Sequence, residues 1–123
     1  MPNRGLEGMA DHGLTERQVQ VIADTLKPYL GRLSKVGLFG SRATGAYREN
    51  SDIDLVLYGT LDAHDMDRLH TLFEESSLPM SVDVSAYHLI DYPPMKAHVD
   101  AVMRPLFADT GSLKDAMAGG LTA

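Results

Sequence analysis

The stretch of residues 40–54, GSRATGAYRENSDID, constrains this 123-residue sequence more than any other, because it separates two short apolar segments. The flanking segments, residues 36–39 and 53–58, have the length and the branched and aromatic side chains that are typical of buried strands. Gly40-Ser41 follows the first segment directly, and two aspartates stand at the start of the second. A loop that only connects strands needs neither feature, so the stretch is a candidate functional site.

The two aspartates, Asp52 and Asp54, are two residues apart, and a strand points such side chains to the same face. Carboxylates held this close repel each other unless a cation lies between them. Arg42, Arg48 or a divalent metal could supply that charge, and Mg²⁺ favours oxygen ligands completed by water and phosphates. Asp83 lies on the polar face of a third expected strand. If that strand neighbours the second, three carboxylates could hold one or two metal ions and leave one as a base.

Gly40-Ser41 is expected to open a helix directly after a strand. Backbone amides at a helix start bind phosphate, a glycine allows close approach, and the Ser41 hydroxyl adds a donor. The pair fits neither the P-loop nor the dinucleotide-binding pattern. Alone, it is more often a turn and a helix cap, and an Asp-x-Asp pair alone is more often a solvated strand start. Their combination at adjacent strand ends favours a functional site.

Outside this stretch, the hydrophobic pattern predicts the element order αβαβαβα. Thr15 and Gln18 form a capping box, and the helix that follows should kink or end before Pro28. The later expected elements are a helix at 41–48, a helix capped by Asp62 that runs to about Ser76, a strand at 81–87, and a helix from Pro93-Pro94 that stops at Gly111. We predict an α/β (α+β) fold with a sheet of three or four strands and helices mainly on one face.

The pattern predicts one domain at residues 14–110, preceded by a flexible leader at 1–13 and followed by a C-terminal tail at 111–123. Met9 is a possible alternative start to Met1. The last helix and the tail together carry more apolar residues than one stripe needs, namely Val99, Met103, Leu106, Leu113, Met117 and Leu121. We expect part of this surface to be covered in a homodimer or by a partner.

Composition excludes several classes of function. A formal net charge of −6 disfavours direct, sequence-independent nucleic-acid binding but permits a phosphorylated ligand screened by a divalent cation. No membrane span or signal peptide is visible, and the absence of cysteine excludes disulfides and thiolate metal sites, so we expect a cytoplasmic protein. The five histidines lack the i, i+4 spacing of metal ligands and are interpreted as surface residues.

The segments LFGSRATGAYRENSDIDLVL and MSVDVSAYHLIDYPPMKAHVDAVM resemble the minimal nucleotidyltransferase (MNT) domain proteins of the DNA polymerase β-like nucleotidyltransferase superfamily. The resemblance covers about residues 15–108. It implies a mixed sheet, Mg²⁺ held by Asp52, Asp54 and Asp83, and ATP phosphates bound at Gly40-Ser41. Many members read Gly-Ser-Arg-Ala-Arg-Gly, whereas Thr44 replaces the second arginine here. If that arginine binds triphosphate, Arg42 or Arg48 must compensate, and we assign Arg42 to the nucleotide site.

The resemblance also implies a function. MNT proteins often serve as the antitoxin of a HEPN-domain toxin, and some transfer AMP from ATP to a tyrosine of that toxin. A chain of this length builds little beyond the nucleotide-binding core, so a protein partner or a second copy would supply the acceptor surface. Two alternatives stay open: a binding module that neutralises its partner by contact without catalysis, and nucleotidyl transfer to a small molecule such as an aminoglycoside. The second is less favoured because such enzymes usually carry an added acceptor domain.

Overall fold

A computed structural model describes residues 12–117. The leader expected at 1–13 falls almost entirely outside the described residues, as does Leu121 of the expected tail. Within residues 12–117, no helix is both long and apolar enough to cross a lipid bilayer.

The first helix, α1 (Glu16–Leu26), begins at the predicted capping box. The backbone N–H of Gln18 donates to Thr15 Oγ1 over 3.0 Å, and the backbone N–H of Thr15 donates to Gln18 Oε1 over 3.0 Å. The helix ends before Pro28, as predicted, and a 3₁₀ segment at Lys27–Arg32 leads into the sheet. The change in helix type follows from proline, which lacks the N–H that an α-helix would need in its next turn.

The remaining elements alternate between strands and helices. They are β1 (Leu33–Phe39), α2 (Ser41–Thr44), β2 (Ile53–Gly59), α3 (Ala63–Glu74), β3 (Val82–Ala86), α4 (Pro93–Val102), β4 (Arg104–Phe107) and α5 (Thr110–Ala116). Asp62 caps α3 as predicted, accepting from the backbone N–H of Asp65. The predicted helix at 41–48 is only one turn long, because Gly45 adopts a left-handed conformation (φ +90°) directly after Thr44.

The four strands form one mixed sheet in the order β3-β2-β1-β4. Strand β1 is antiparallel to both of its neighbours, whereas β2 and β3 are parallel. Parallel strands require a crossover connection, and α3 provides it. The predicted α/β fold with a small mixed sheet is therefore confirmed.

Helices cover the two faces of the sheet unequally. Helices α1, α3 and α5 bury one face through a cluster that includes Ile22, Leu55, Leu69 and Leu113. Helix α4 covers the other face through a smaller cluster around Val99, Val56 and Phe39. The even-numbered positions of β2, among them Asp54, point to the α4 side, because strand side chains alternate and Leu55 and Leu57 belong to the larger cluster.

The prediction of one long helix from Pro93 to Gly111 was wrong. Helix α4 ends at Val102, and β4 follows and pairs with β1. Pro105 explains the difference, because proline disrupts a helix interior but is tolerated in an edge strand such as β4. Gly111 lies inside α5 instead of ending a helix, and α5 is capped by Asp109, which accepts from the backbone N–H of Ser112 over 2.8 Å.

The segment assigned to the C-terminal tail contributes to the core. Leu113 and Met117 are 1% and 3% exposed and join the larger cluster, so the packed domain continues beyond residue 110. Val99 of α4 is buried against the sheet, and Met103 packs over Gly37 of β1. The apolar residues of the expected last helix and tail that the structure describes are therefore largely packed within the chain itself. This packing removes the main argument that a dimer covers them.

Candidate nucleotidyltransferase site

The sheet brings two of the predicted aspartates together. Asp54 of β2 and Asp83 of β3 are directly paired in the parallel register. Asp52 precedes Asp54 by two residues. Asp54 is half-buried, whereas the other two are exposed. Burial raises the pKa of the Asp54 carboxyl, and the nearby charges of Asp83 and Asp52 raise it further. The three carboxylates therefore form one negatively charged group at the start of the parallel strands.

Gly40 joins the predicted phosphate-binding segment to this group. It follows Phe39, the residue of β1 that pairs with Asp54 across the antiparallel ladder. Its backbone has φ +71° and ψ −151°, a conformation that is essentially restricted to glycine. A Cβ added at this position would overlap the Oδ2 atom of Asp54 and lie 3.1 Å from its Cγ. A glycine is thus needed where the chain turns from β1 towards Ser41.

Arg42, which we assigned to the nucleotide, is fully buried. Its Nη1 donates to the carbonyl oxygen of His12 over 2.8 Å, and its Nη2 donates to the carbonyl oxygens of Ser51 and Glu49 over 3.0 and 3.2 Å. The guanidinium also lies over the ring of Tyr47, at 5.1 Å. Arg42 therefore binds the loop that ends directly before Asp52, and the structure does not bring its side chain to the ligand-accessible surface.

The buried position of Arg42 leaves Arg48 as the exposed arginine of this loop. The backbone N–H of Arg48 donates to Ser51 Oγ over 2.7 Å, which tightens the turn that precedes Asp52. The loop is therefore stabilised from the inside by the Arg42 side chain and at its surface by the Ser51 side chain.

The donor set suits a hard divalent cation. Asp52, Asp54 and Asp83 offer only carboxylate oxygens, which Mg²⁺ prefers. Within residues 12–117, no group of three or more acidic, histidine or cysteine side chains is arranged so that it could hold a metal ion without other ligands. Mg²⁺ usually keeps several waters and takes phosphate oxygens from the substrate, so an open carboxylate group fits it.

His98 lies beside this site, although no pattern in the sequence pointed to it. It lies on α4, and its ring meets the ring of Phe39 edge-on, with centroids 6.4 Å apart and an interplanar angle of 76°. Its charge opposes the rise in the pKa of Asp54. Nothing in the sequence distinguishes it from the other histidines, because its position depends on how α4 crosses the sheet.

The far end of the same sheet face is occupied by aromatic packing. The rings of Tyr58 and Tyr87 stack with centroids 4.9 Å apart, and the Tyr87 hydroxyl donates to Asp100 Oδ1 over 2.7 Å. That hydrogen bond raises the pKa of Tyr87, with smaller contributions from burial and from the Asp100 charge. Lys35 and Lys96 lie over the outer faces of the two rings. Tyr87 therefore packs within the face, away from the carboxylates.

A cavity of about 360 Å³ lies elsewhere, beside the edge strand β3. Met66 and His70 of α3 line one side, and Ile90, Tyr92 and Met95 line the other. None of the three site aspartates contributes to its lining. The carboxylate group is thus an open surface site and is not part of this cavity.

A mixed sheet with Gly-Ser after one strand, two aspartates at the start of the antiparallel neighbour and a third on the parallel strand beyond defines a nucleotidyltransferase domain. The family model described as polymerase beta, nucleotidyltransferase matches residues 20–109. The chain belongs to this family.

A curated relative is similar to part of this chain. A protein of Methanocaldococcus jannaschii, provisionally named a protein adenylyltransferase, is 44% identical over 48 residues. These residues make up 38% of this chain and 48% of that protein, so the match spans about half the length of the relative.

Solved structures share the fold. A crystal structure of a toxin–antitoxin with AMP-PNP superimposes with a TM-score of 0.62 and 21% identity, covering 89% of this chain and 86% of the other. A crystal structure of the MntA–HepT toxin–antitoxin superimposes with a TM-score of 0.54 and 19% identity, covering 85% of this chain and 81% of the other. At this level of identity the likeness establishes the fold alone.

Proposed function

We propose that this chain is a Mg²⁺-dependent nucleotidyltransferase that transfers AMP from ATP to a hydroxyl group, most suitably a tyrosine, of a partner HEPN-type toxin, and that it acts as the antitoxin of that partner. The observation that carries the proposal is the direct pairing of Asp54 with Asp83 beside Gly40. In the proposed complex, this carboxylate group would lie between a nucleoside triphosphate and an acceptor hydroxyl.

Gly40 and Ser41 would bind the phosphates. The absence of a side chain at Gly40 leaves the backbone open beside Asp54, and Ser41 adds a hydroxyl donor. Asp52 and Asp54 would hold Mg²⁺, which neutralises charge on the triphosphate and on the leaving pyrophosphate. Arg42 would act indirectly, by fixing the loop before Asp52 through the carbonyl oxygen of Ser51.

Asp83 would act on the side of the site where the acceptor hydroxyl binds. It belongs to β3, on the opposite side of β2 from Phe39 and Gly40, so it is separated from the phosphate-binding segment by Asp54. In the proposed reaction the acceptor oxygen forms a bond to the α-phosphorus, the bond from that phosphorus to the bridging oxygen breaks, and pyrophosphate leaves. Asp83 would accept the hydroxyl proton or take part in binding the metal.

The assignment of a protein acceptor is supported by the provisional name of the M. jannaschii relative, a protein adenylyltransferase. The assignment of an antitoxin role is supported by the structural neighbours, which are toxin–antitoxin complexes, one of them with AMP-PNP. A net charge of −6 disfavours direct nucleic-acid binding and permits a nucleotide ligand that is screened by a divalent cation.

The proposal is tested by transfer of label. The chain is co-expressed with its proposed partner toxin. The purified pair is then incubated with Mg²⁺ and ATP labelled at either the α- or the γ-phosphate. We expect label from α-labelled ATP on the partner and none from γ-labelled ATP. Label from γ-labelled ATP would indicate phosphoryl transfer and contradict the proposal.

The same pair distinguishes catalysis from contact. If the chain in which both Asp52 and Asp54 are changed to alanine still relieves toxicity of the partner in cells, neutralisation occurs by binding. If relief is lost while the complex still forms, neutralisation requires the transfer.

A further inference from the structure

The register of the sheet fixes which residues lie on each side of Asp54. Asp83 of β3 and Phe39 of β1 both pair with Asp54, from opposite sides of β2. Gly40 continues the chain from Phe39, so the phosphate-binding segment lies at the Phe39 end of this row. His98 reaches the same end from above, because α4 covers this face of the sheet and the His98 ring contacts the Phe39 ring.

The basic side chains near this position include Arg48, which is exposed on the loop before β2, and Arg104 at the start of β4. Arg42 is engaged with backbone carbonyl oxygens inside the loop. Lys35 and Lys96 lie over the tyrosine rings at the far end of the face. His98 is the basic side chain of α4 whose ring contacts Phe39, the residue that pairs with Asp54. Imidazole is therefore the basic group that α4 brings to the Phe39 end of the row.

We infer that His98 is a nucleotide-binding residue, whose ring N–H donates a hydrogen bond to the triphosphate, in the role that the sequence analysis assigned to Arg42. This inference rests on the proposed function, since it takes ATP as the ligand. The side chain is exposed and so is open to a ligand, while the edge contact with Phe39 holds the ring on the phosphate side of Asp54. A neutral imidazole already carries one N–H donor, so the role needs no change in protonation.

The test compares His98→Phe with His98→Gln in titrations of Mg-ATP into the purified protein. His98→Phe keeps a ring against Phe39 and removes the donor, whereas His98→Gln keeps an N–H donor on a different side chain. We expect His98→Phe to weaken Mg-ATP binding by about tenfold, as for a hydrogen bond to a charged group, and His98→Gln to recover part of the loss. In transfer assays the KM for ATP should rise while kcat changes little.

His64→Phe is the matched control, because His64 is an exposed histidine on α3, which covers the opposite face of the sheet. It should bind Mg-ATP as the unchanged protein does. Thermal unfolding of each variant separates binding from folding, and if His98→Phe unfolds early, the affinity of a folded His98→Ala decides.

Mg-ATP binding by His98→Phe and His98→Ala at the affinity of the unchanged protein would overturn the inference and leave the proposed function intact. Failure of the unchanged protein to bind Mg-ATP at all would instead overturn the proposed function, and with it this inference.

Discussion

Gly40 and Asp54 are so close that the smallest side chain at residue 40 would overlap the Asp54 carboxyl. The two residues come from different strands, β1 and β2, and the antiparallel pairing of Phe39 with Asp54 brings them together. The glycine and the aspartate that the sequence places fourteen positions apart therefore form one wall of the site.

This contact predicts that Gly40→Ala weakens Mg-ATP binding by at least about tenfold, because Asp54 must move and the backbone is strained by about 1–3 kcal/mol. Gly45→Ala is the matched control, since Gly45 also has a positive φ (+90°) but has no atom within 4 Å of an added Cβ. It should lose about 1 kcal/mol of stability and keep its affinity. Calorimetric titration measures both, and unchanged affinity in Gly40→Ala would show that this contact does not shape the nucleotide site.

Arg42→Met should lower the free energy of unfolding by about 2–4 kcal/mol, because it leaves the carbonyl oxygens of His12, Glu49 and Ser51 without their donor. Arg48→Met, in the same loop but exposed, should change it by less than about 0.5 kcal/mol. Urea unfolding measures both variants. A stable Arg42→Met protein that has lost ATP affinity would instead support the phosphate-binding role expected from the sequence.

The raised pKa of Asp54 predicts a pH dependence of stability. A carboxyl whose pKa is higher in the folded state binds protons more tightly when folded, so its contribution to stability falls as the pH rises from its ordinary value of 3.8 through the raised one. Asp65 and Asp109 act in the opposite direction, because hydrogen bonds from the backbone N–H groups of Asp62 and Ser112 lower their pKa values. The difference between the unchanged protein and Asp54→Asn isolates the effect of Asp54.

We expect Asp54→Asn to be as stable as the unchanged protein at pH 3, and equal or more stable, by up to about 1 kcal/mol, at neutral pH. Urea unfolding at a series of pH values gives the comparison. A variant that becomes less stable than the unchanged protein as the pH rises would mean that the Asp54 charge is compensated in the folded chain.

Changing both Asp52 and Asp54 to alanine should abolish Mg²⁺-dependent ATP binding and leave the fold intact, because the change removes like charges that repel each other. Circular dichroism and thermal unfolding establish the fold, and calorimetry measures the binding. Unchanged Mg-ATP affinity in the folded double variant would show that Asp52 and Asp54 do not hold the metal ion.

The sequence was sufficient for the elements next to the proposed site, because each of them has a strong local signal. The capping residues Thr15 and Asp62, the two apolar segments around Gly40 and the alternation around Asp83 all predicted elements that the structure contains. The approach of Asp83 to Asp54 needed one further condition, that their strands be neighbours, and the sheet order meets it.

The sequence was insufficient where the outcome depends on packing between distant segments. From the sequence, Arg42 was expected to bind phosphate. Its side chain instead binds carbonyl oxygens of three different residues, and no local pattern in the sequence reveals these contacts. His98 is an exposed histidine, as the sequence indicated, but its place beside Phe39 depends on how α4 crosses the sheet. Strand β4 was the avoidable error, since Pro105 already argued against a helix there.

Asp83→Asn separates the roles that we propose for the three aspartates. Each variant is titrated with Mg-ATP and is then assayed for label transferred from α-labelled ATP to the partner protein. We predict that Asp83→Asn retains most of the ATP affinity and loses transfer by about 10² or more, because the acceptor side loses its carboxylate. Asp54→Asn, the companion variant, should lose both. Full transfer by Asp83→Asn would contradict the account, since Asp83 would then be only a residue of the strand.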